Sequence, residues 1–315
     1  MMKILAVIVA LVGVNNLSPA ESFRLEGEPF NPSTNSEIVW SAPTNNLPRG
    51  LWIYKVMPEA FSAAVISNAM IIGHFQMKDL TRPPDKNQIS FQNKNEFNRT
   101  RFLTINPTIG TMKYQSDTDA SAPAENVPSS EETEKLARDV LFQLGIDRSL
   151  LAEKVRNGYD NIRTRYDRTG HQTAAPEATM RGISFERRID GVLLSDQWCF
   201  LIHFGNHGIV EDFSLCWRNI LPSESHQVAT PEQIVKMIKS GKVVLPPQMS
   251  DTTGLDSAKK LTVVKITPHY YNGIGKESLD FMYPYADLEM TADSGNTNAT
   301  TFFLNCPILV ETKTE

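Results

Sequence analysis

The residues best suited to chemistry by type and spacing are Cys199, His203 and His207. A His-x-x-x-His pair converges on a metal when both rings share one face of a helix. Here the pair spans a strand and the turn after it, so the two rings need not meet. Packing is expected for Cys199 and turn exposure for His207, and no metal or cofactor is expected. Five carboxylates, Glu186, Asp190, Asp196, Glu211 and Asp212, fall in the same region. Glycoside hydrolysis would need two of them facing each other across a cleft. Most sit at turns or on the wet face of strands, so a solvated face is the expectation. Gly-x-Ser-x-Gly, His-Glu-x-x-His and a Walker-type loop are all absent from the sequence. Gly273-Ile274-Gly275-Lys276 is too short for a phosphate loop and reads as a hairpin turn. The protein is therefore expected not to be an enzyme. An exported hydrolase, directed at glycans through carboxylates 186–212, is the alternative.

Trp198, Trp217, Tyr270, Tyr271, Tyr283 and Tyr285 lie on expected strands. Exposed strand aromatics grip a partner or stack on sugars, whereas buried ones are core. Adjacency of Tyr270 with Tyr271, and alternation of Tyr283 with Tyr285, should turn some of them outward. These four tyrosines are the candidate binding residues, and they support a third reading as a carbohydrate- or surface-binding protein.

The elements that must position these groups centre on Met180–Trp217. Arg181–Ile189 alternates apolar and polar, the period of a half-buried strand. Asp190-Gly191 follows, a dipeptide that tolerates the positive φ of a tight hairpin. Gln197–Phe204, a turn at 205–208 and Ile209–Trp217 complete an antiparallel meander with one face on a core. Ile209, Phe213, Leu215 and Trp217 share a face in this reading, with Glu211 as the exception. One bulge residue in the turn would set Cys199 opposite Cys216. A 199–216 bridge is then conceivable in an oxidising compartment, but directly paired strands give it awkward geometry, and two buried thiols are preferred. With Cys306 the count is odd, so this is not a disulfide-rich scaffold.

Lys3, the apolar run Ile4–Val14 and Ser18-Pro19-Ala20 read as a signal peptide over 1–20, cleaved after Ala20. The alternative is an uncleaved membrane anchor, for which the run is short. The mature chain is expected to be secreted or periplasmic, with no membrane span. A formal charge of −5 without any basic cluster argues against nucleic-acid binding. Residues 21–50 read as an extended lead-in, and Leu51–Met57 as an edge strand. A helix candidate begins at Pro58 and runs through Ile71, followed by strands at 88–92, 101–105 and 111–115. The Asp-, Ser-, Ala- and Pro-rich stretch 117–129 is the expected linker after a first module at 51–116. Ser129 with Glu132 has capping-box spacing, and Leu136, Val140, Leu141 and Leu144 form the stripe of a helix stopped by Gly145. Asn161–Arg168 reads as a strand and His171–Thr179 as a loop, within a second module at 130–222. Thr230-Pro231-Glu232-Gln233 opens a third helix, ended by Gly241. Strands at 261–271, 280–290 and 300–310 complete a third module, or the rest of the second domain, at 223–315. Asn98-Arg99-Thr100 and Asn298-Ala299-Thr300 fit the glycosylation pattern.

Three times a helix precedes a group of strands. Phe102–Ile105, a turn and Gly110–Tyr114 echo Phe200–His203, a turn and Gly208–Phe213. The expected fold class is α+β, in tandem modules of one helix packed on a mostly antiparallel sheet. The order resembles the PepSY-like superfamily, which includes peptidase propeptides and the ectodomains of Yyc-type regulators. The resemblance rests on Glu134–Arg138 ending in Leu144-Gly145-Ile146, on Phe185–Val192, and on Ala229–Ile234 leading to Lys265–Tyr271 and Tyr283-Pro284-Tyr285. It covers residues 55–310, and the polar insert at 147–179 departs from the family unit. It implies a non-catalytic module that binds or regulates a protein or peptide partner, and it implies no catalytic residue.

Overall fold

The structure, a computed structural model, describes residue 25 and residues 27–310 apart from 46, 82–86, 118–122, 154, 195–198, 248–254, 256–257, 272–278 and 294–298. The expected signal segment, Asp196, Trp198, the 273–276 turn and Asn298 lie outside the described residues.

Two eight-stranded sheets and one three-stranded sheet carry the molecule. The first sheet runs β4 (Ile89–Lys94), β5 (Thr100–Asn106), β6 (Thr111–Ser116), β13 (Val210–Cys216), β12 (Phe200–Phe204), β9 (Glu177–Phe185) and β7 (Arg156–Asn157). β8 (Asn161–Arg163) pairs with the N-terminal part of β9. The second sheet runs β1 (Glu28–Pro29), β15 (Val244–Leu245), β19 (Thr300–Pro307), β18 (Pro284–Asp293), β16 (Lys260–Tyr270), β11 (Val192–Leu194) and β10 (Arg188–Ile189). β2 (Glu37–Trp40) joins it in parallel beside β16. The third sheet is β14 (Ile220–Gln227), β3 (Gly50–Val56) and β17 (Phe281–Met282).

Each of the three described α-helices begins where a side chain satisfies its free amides. α1 (Ala63–Ile72) starts at Ser62, which accepts from Val65 N–H. This is later than Pro58, because Ala60 and Phe61 are already buried in non-helical chain. α2 (Ser130–Leu144) opens with the Ser129–Glu132 capping box and ends at Gly145 in the left-handed conformation. It buries Ala137, Val140, Leu141 and Leu144 against the first sheet's core. α3 (Pro231–Lys239) has the Thr230–Gln233 box and buries Ile234 and Ile238 in the second core. Among the described residues no helix is long and apolar enough to cross a membrane.

This architecture corrects the α+β expectation of tandem helix-on-sheet modules. The protein is mostly β, with nineteen strands against three α-helices among the described residues. The strands also ignore the expected module order. β6 lies before the 117–129 stretch and β13 far beyond it, yet they pair from Asp212↔Gln115 to Cys216↔Thr111. β10 and β11, expected in the second module, join the second sheet through a parallel pairing of Leu193 with His269. Leu51–Met57 is no edge either, since β3 is flanked on both sides by β14 and β17. Local pattern marks a strand but does not choose its long-range neighbour.

Two apolar cores result. One holds Leu103, Ile105, Phe185, Phe200, Phe213 and Leu215 under α1 and α2. The other holds Leu51, Tyr270, Leu288, Met290 and Phe302 with α3. β9 belongs to the first core, and the chain leaving it enters the second.

Candidate functional site

The two ends of β9 carry different polar constructions. Beyond its C-terminal end Arg187 is only 3% exposed. Its guanidinium lies 4.0 Å above the Trp217 ring and donates from Nη1 to the Arg218 carbonyl at 2.8 Å. Burial lowers the Arg187 pKa to about 10. The Asp190-Gly191 turn follows, with both residues at positive φ and β10 paired to β11 across it. Asp190 Oδ2 accepts from the Tyr54 hydroxyl at 2.7 Å and from the Tyr270 hydroxyl at 3.2 Å. Tyr270 also donates to the Trp52 carbonyl at 3.1 Å. Burial, then Asp190, pushes the pKa values of both phenols upward, so both stay protonated hydrogen-bond donors. This end is a packed seam between the cores.

At the N-terminal end β9 enters water. β8 and the start of β9 form a two-stranded ribbon with a bulge between Asn161 and Ile162. Pairing continues outward through Thr173 N–H to Arg165 O at 2.9 Å and Asp167 N–H to His171 O at 2.9 Å. Asp167 Oδ1 closes the tip by accepting from the Thr169 amide and hydroxyl and from the His171 amide. Glu177 Oε1 accepts from Arg163 and Arg165, bracing the ribbon across its width. Every residue from 165 to 176 is exposed. Ile162 and Tyr166 each expose 63% of their surface, and Tyr159 at the base 37%. Among the described residues β8 pairs with β9 alone.

The ribbon's base crosses the first sheet over His203. His203 Nδ1 lies 2.8 Å from Asp212 Oδ1, on neighbouring strands. Burial alone would lower the imidazole pKa. The hydrogen bond and charge of Asp212, a bond to the Tyr159 backbone and the charge of Asp160 outweigh it, and the pKa is raised. Gly182 lies beneath the ring, and a Cβ there would fall 2.4 Å from His203 Cδ2 and 2.7 Å from Tyr159 Cβ. Its amide donates to Asp160 Oδ1 at 3.3 Å.

The carboxylates expected to matter for hydrolysis are engaged separately. Glu186 pairs with Arg156, Asp190 with the two phenols, and Asp212 with His203. Burial raises the pKa of Glu211, with Arg99 and Arg101 opposing it. Glu211 is the bulge residue, because His203 pairs with Asp212 and Phe204 with Val210. The bulge explains why Ile209 is exposed rather than sharing the face of Phe213. His207 sits exposed at positive φ beside Glu125, away from the His203 pair. Among the described residues no three His, Cys, Asp or Glu groups could hold a metal.

Of the four tyrosines expected to bind, Tyr270, Tyr283 and Tyr285 are buried and Tyr271 is half-buried. Tyr285 packs on the His269 ring at 5.8 Å. They do not form an exposed strip. Cys199 does face Cys216, with the Cys216 amide donating to the Cys199 carbonyl at 2.7 Å. Cys199, Cys216 and Cys306 are free thiols, with Cys216 half-buried. Burial raises their pKa values, Cys199 to about 12 and Cys216 to about 11, far from a reactive thiolate. The ribbon was the feature missed. Its signal was the Asp167–Gly170 turn between Tyr166 and Thr173, hidden because its residues are polar and 171–179 reads as loop.

No protein-family model matches the chain, and no curated protein matches it in sequence. The crystal structure of an uncharacterized protein from Eubacterium rectale ATCC 33656 is similar over 86% of each chain, at 13% identity and a TM-score of 0.44. No function is drawn from that likeness.

Proposed function

We propose that this chain is an exported, non-catalytic protein that binds a protein or peptide partner through the 159–179 ribbon. The observation that carries the reading is Ile162 and Tyr166, two large apolar side chains in water on the ribbon, whose strand β8 has one edge outside the sheet pairing among the described residues. An extended peptide can add to such an edge through backbone hydrogen bonds, and the two side chains would supply apolar contact. The Arg163–Glu177–Arg165 brace pre-orders the ribbon, so less ordering entropy is lost on binding. Export is supported by Lys3, Ile4–Val14 and the small residues before Glu21. The reading keeps the partner-binding role implied by the PepSY-like resemblance and drops the tandem modules.

The test compares the wild-type chain with an Ile162→Asp/Tyr166→Asp variant in pull-downs from the native exported fraction. A specific partner retained by wild type should fall by at least about tenfold with the variant, a loss of about 1.4 kcal/mol, with circular dichroism unchanged. Equal retention by both proteins would sink the reading. So would hydrolysis of a member of a glycan panel by the wild-type chain.

A further inference from the structure

We propose that the outward side of α1 joins two copies of this chain, the helices lying antiparallel with Ser67 at the two-fold axis. Residues 60–73 contain no Asp, Glu, Lys or Arg, although 21% of the chain is charged. Within α1 only Ala69 is fully buried, while Val65, Ile66, Met70 and Ile72 are half-buried against the first core. The side turned to water is Ala63, Ala64, Ser67 and Ile71, with Ile71 68% exposed. A helix on a domain surface normally shows charged and polar groups on that side. The other two α-helices do so. α2 exposes Glu131, Glu132, Lys135 and Asp139, and α3 exposes Glu232, Gln233, Lys236 and Lys239. Of the three, α1 alone offers water a side without charge.

Charge and shape both select a copy of the same face as the occupant. A charged surface laid on this side would lose hydration and find no counter-charge there. A second α1 has no charge to desolvate. The spacing is self-complementary as well. Ala63, Ser67 and Ile71 lie four residues apart, so they line one ridge of the helix. A two-fold axis through Ser67 sets residue 71 of one copy against residue 63 of the other, in both directions. The large Ile71 then meets the small Ala63 twice, and Ser67 meets only itself, which lets the two backbones come close. The helix is already formed and capped, with Ser62 accepting from Val65 N–H, so no ordering has to precede docking. One ten-residue helix per copy falls short of the roughly 1,200 Å² in total that a stable dimer buries, so the association is weak.

Sedimentation equilibrium of the wild-type protein from about 0.01 to about 1 mM is expected to show a reversible monomer–dimer equilibrium. On dilution, amide chemical shifts should move in 62–73 and stay fixed in α3. Ile71→Asp and Ala63→Lys should each weaken the dimer by at least about tenfold. Mixed one to one, the two variants should associate with each other more tightly than either does with itself, because the two-fold register sets the new carboxylate against the new ammonium. Both positions are exposed, so circular dichroism should match wild type. Should either variant fail to fold, the wild-type dilution shifts decide. A wild type that stays monomeric at about 1 mM overturns the proposal. So do dilution shifts centred elsewhere, variants that dimerise like wild type, or a mixture without preference. In the monomeric case, binding to neutral phosphatidylcholine vesicles that is lost in Ile71→Asp would give the face to a lipid surface instead. The ribbon takes no part in this measurement, so its outcome is separate from that of the pull-downs.

Discussion

The two hairpins at either end of β9 are close in local chemistry and opposite in fate. Both turns carry an aspartate and a glycine, adjacent as Asp190-Gly191 at one end and three positions apart as Asp167 and Gly170 at the other. At the first, the carboxylate gathers two buried phenols from β3 and β16. At the second, the carboxylate closes only its own tip. Turn chemistry therefore specifies where the chain reverses. What covers the hairpin afterwards decides whether it is seam or surface. A two-stranded ribbon in water is marginal on its own, so the brace of Glu177 on Arg163 and Arg165 matters there.

The sharpest way to break this contrast is truncation. Tyr270→Ala removes a fully buried ring and should cost about 3–5 kcal/mol, read by chemical denaturation. Asp190→Gly removes the shared acceptor without straining the positive φ. It leaves the Tyr54 hydroxyl without this partner, and a loss of about 1–3 kcal/mol is expected by the same measurement. Tyr166→Ala on the ribbon should change stability by no more than about 0.5 kcal/mol, since its ring lies mostly in water. A Tyr166→Ala loss as large as that of Tyr270→Ala would mean the ribbon is packed, and the contrast would fail.

Much of the local structure was legible in the sequence. Ser129 with Glu132 and Thr230 with Gln233 close their capping boxes as spaced. Asp190-Gly191 makes its hairpin, and Cys199 does face Cys216, although the bulge that sets this register is Glu211 in β13 and not a residue of the 205–208 turn. These depend on residues within a few positions of each other. The pairing of β6 with β13, and of β11 with β16, depends on surfaces far apart in the chain, and alternation carries no address for them. The burial of the tyrosines was hidden for a related reason. Period-two patterning gives the side on which Tyr285 projects but not that the His269 ring covers it there. His203 was weighed as a metal ligand because its spacing to His207 is visible, whereas its true neighbours Asp212, Tyr159 and Gly182 converge only in the folded sheet.

β9 has one more property. The ribbon, the first sheet and the Asp190 hairpin are threaded on one uninterrupted run of backbone from Glu177 to Leu194. A tug on the ribbon tip would pull along that run, loading the β9–β12 ladder lengthwise so that its five residue pairs resist together instead of unzipping in turn. Tension reaching Arg187 would then meet its stack on Trp217 before reaching the second sheet. The appendage most open to grasping is thus anchored in the direction best able to withstand being pulled.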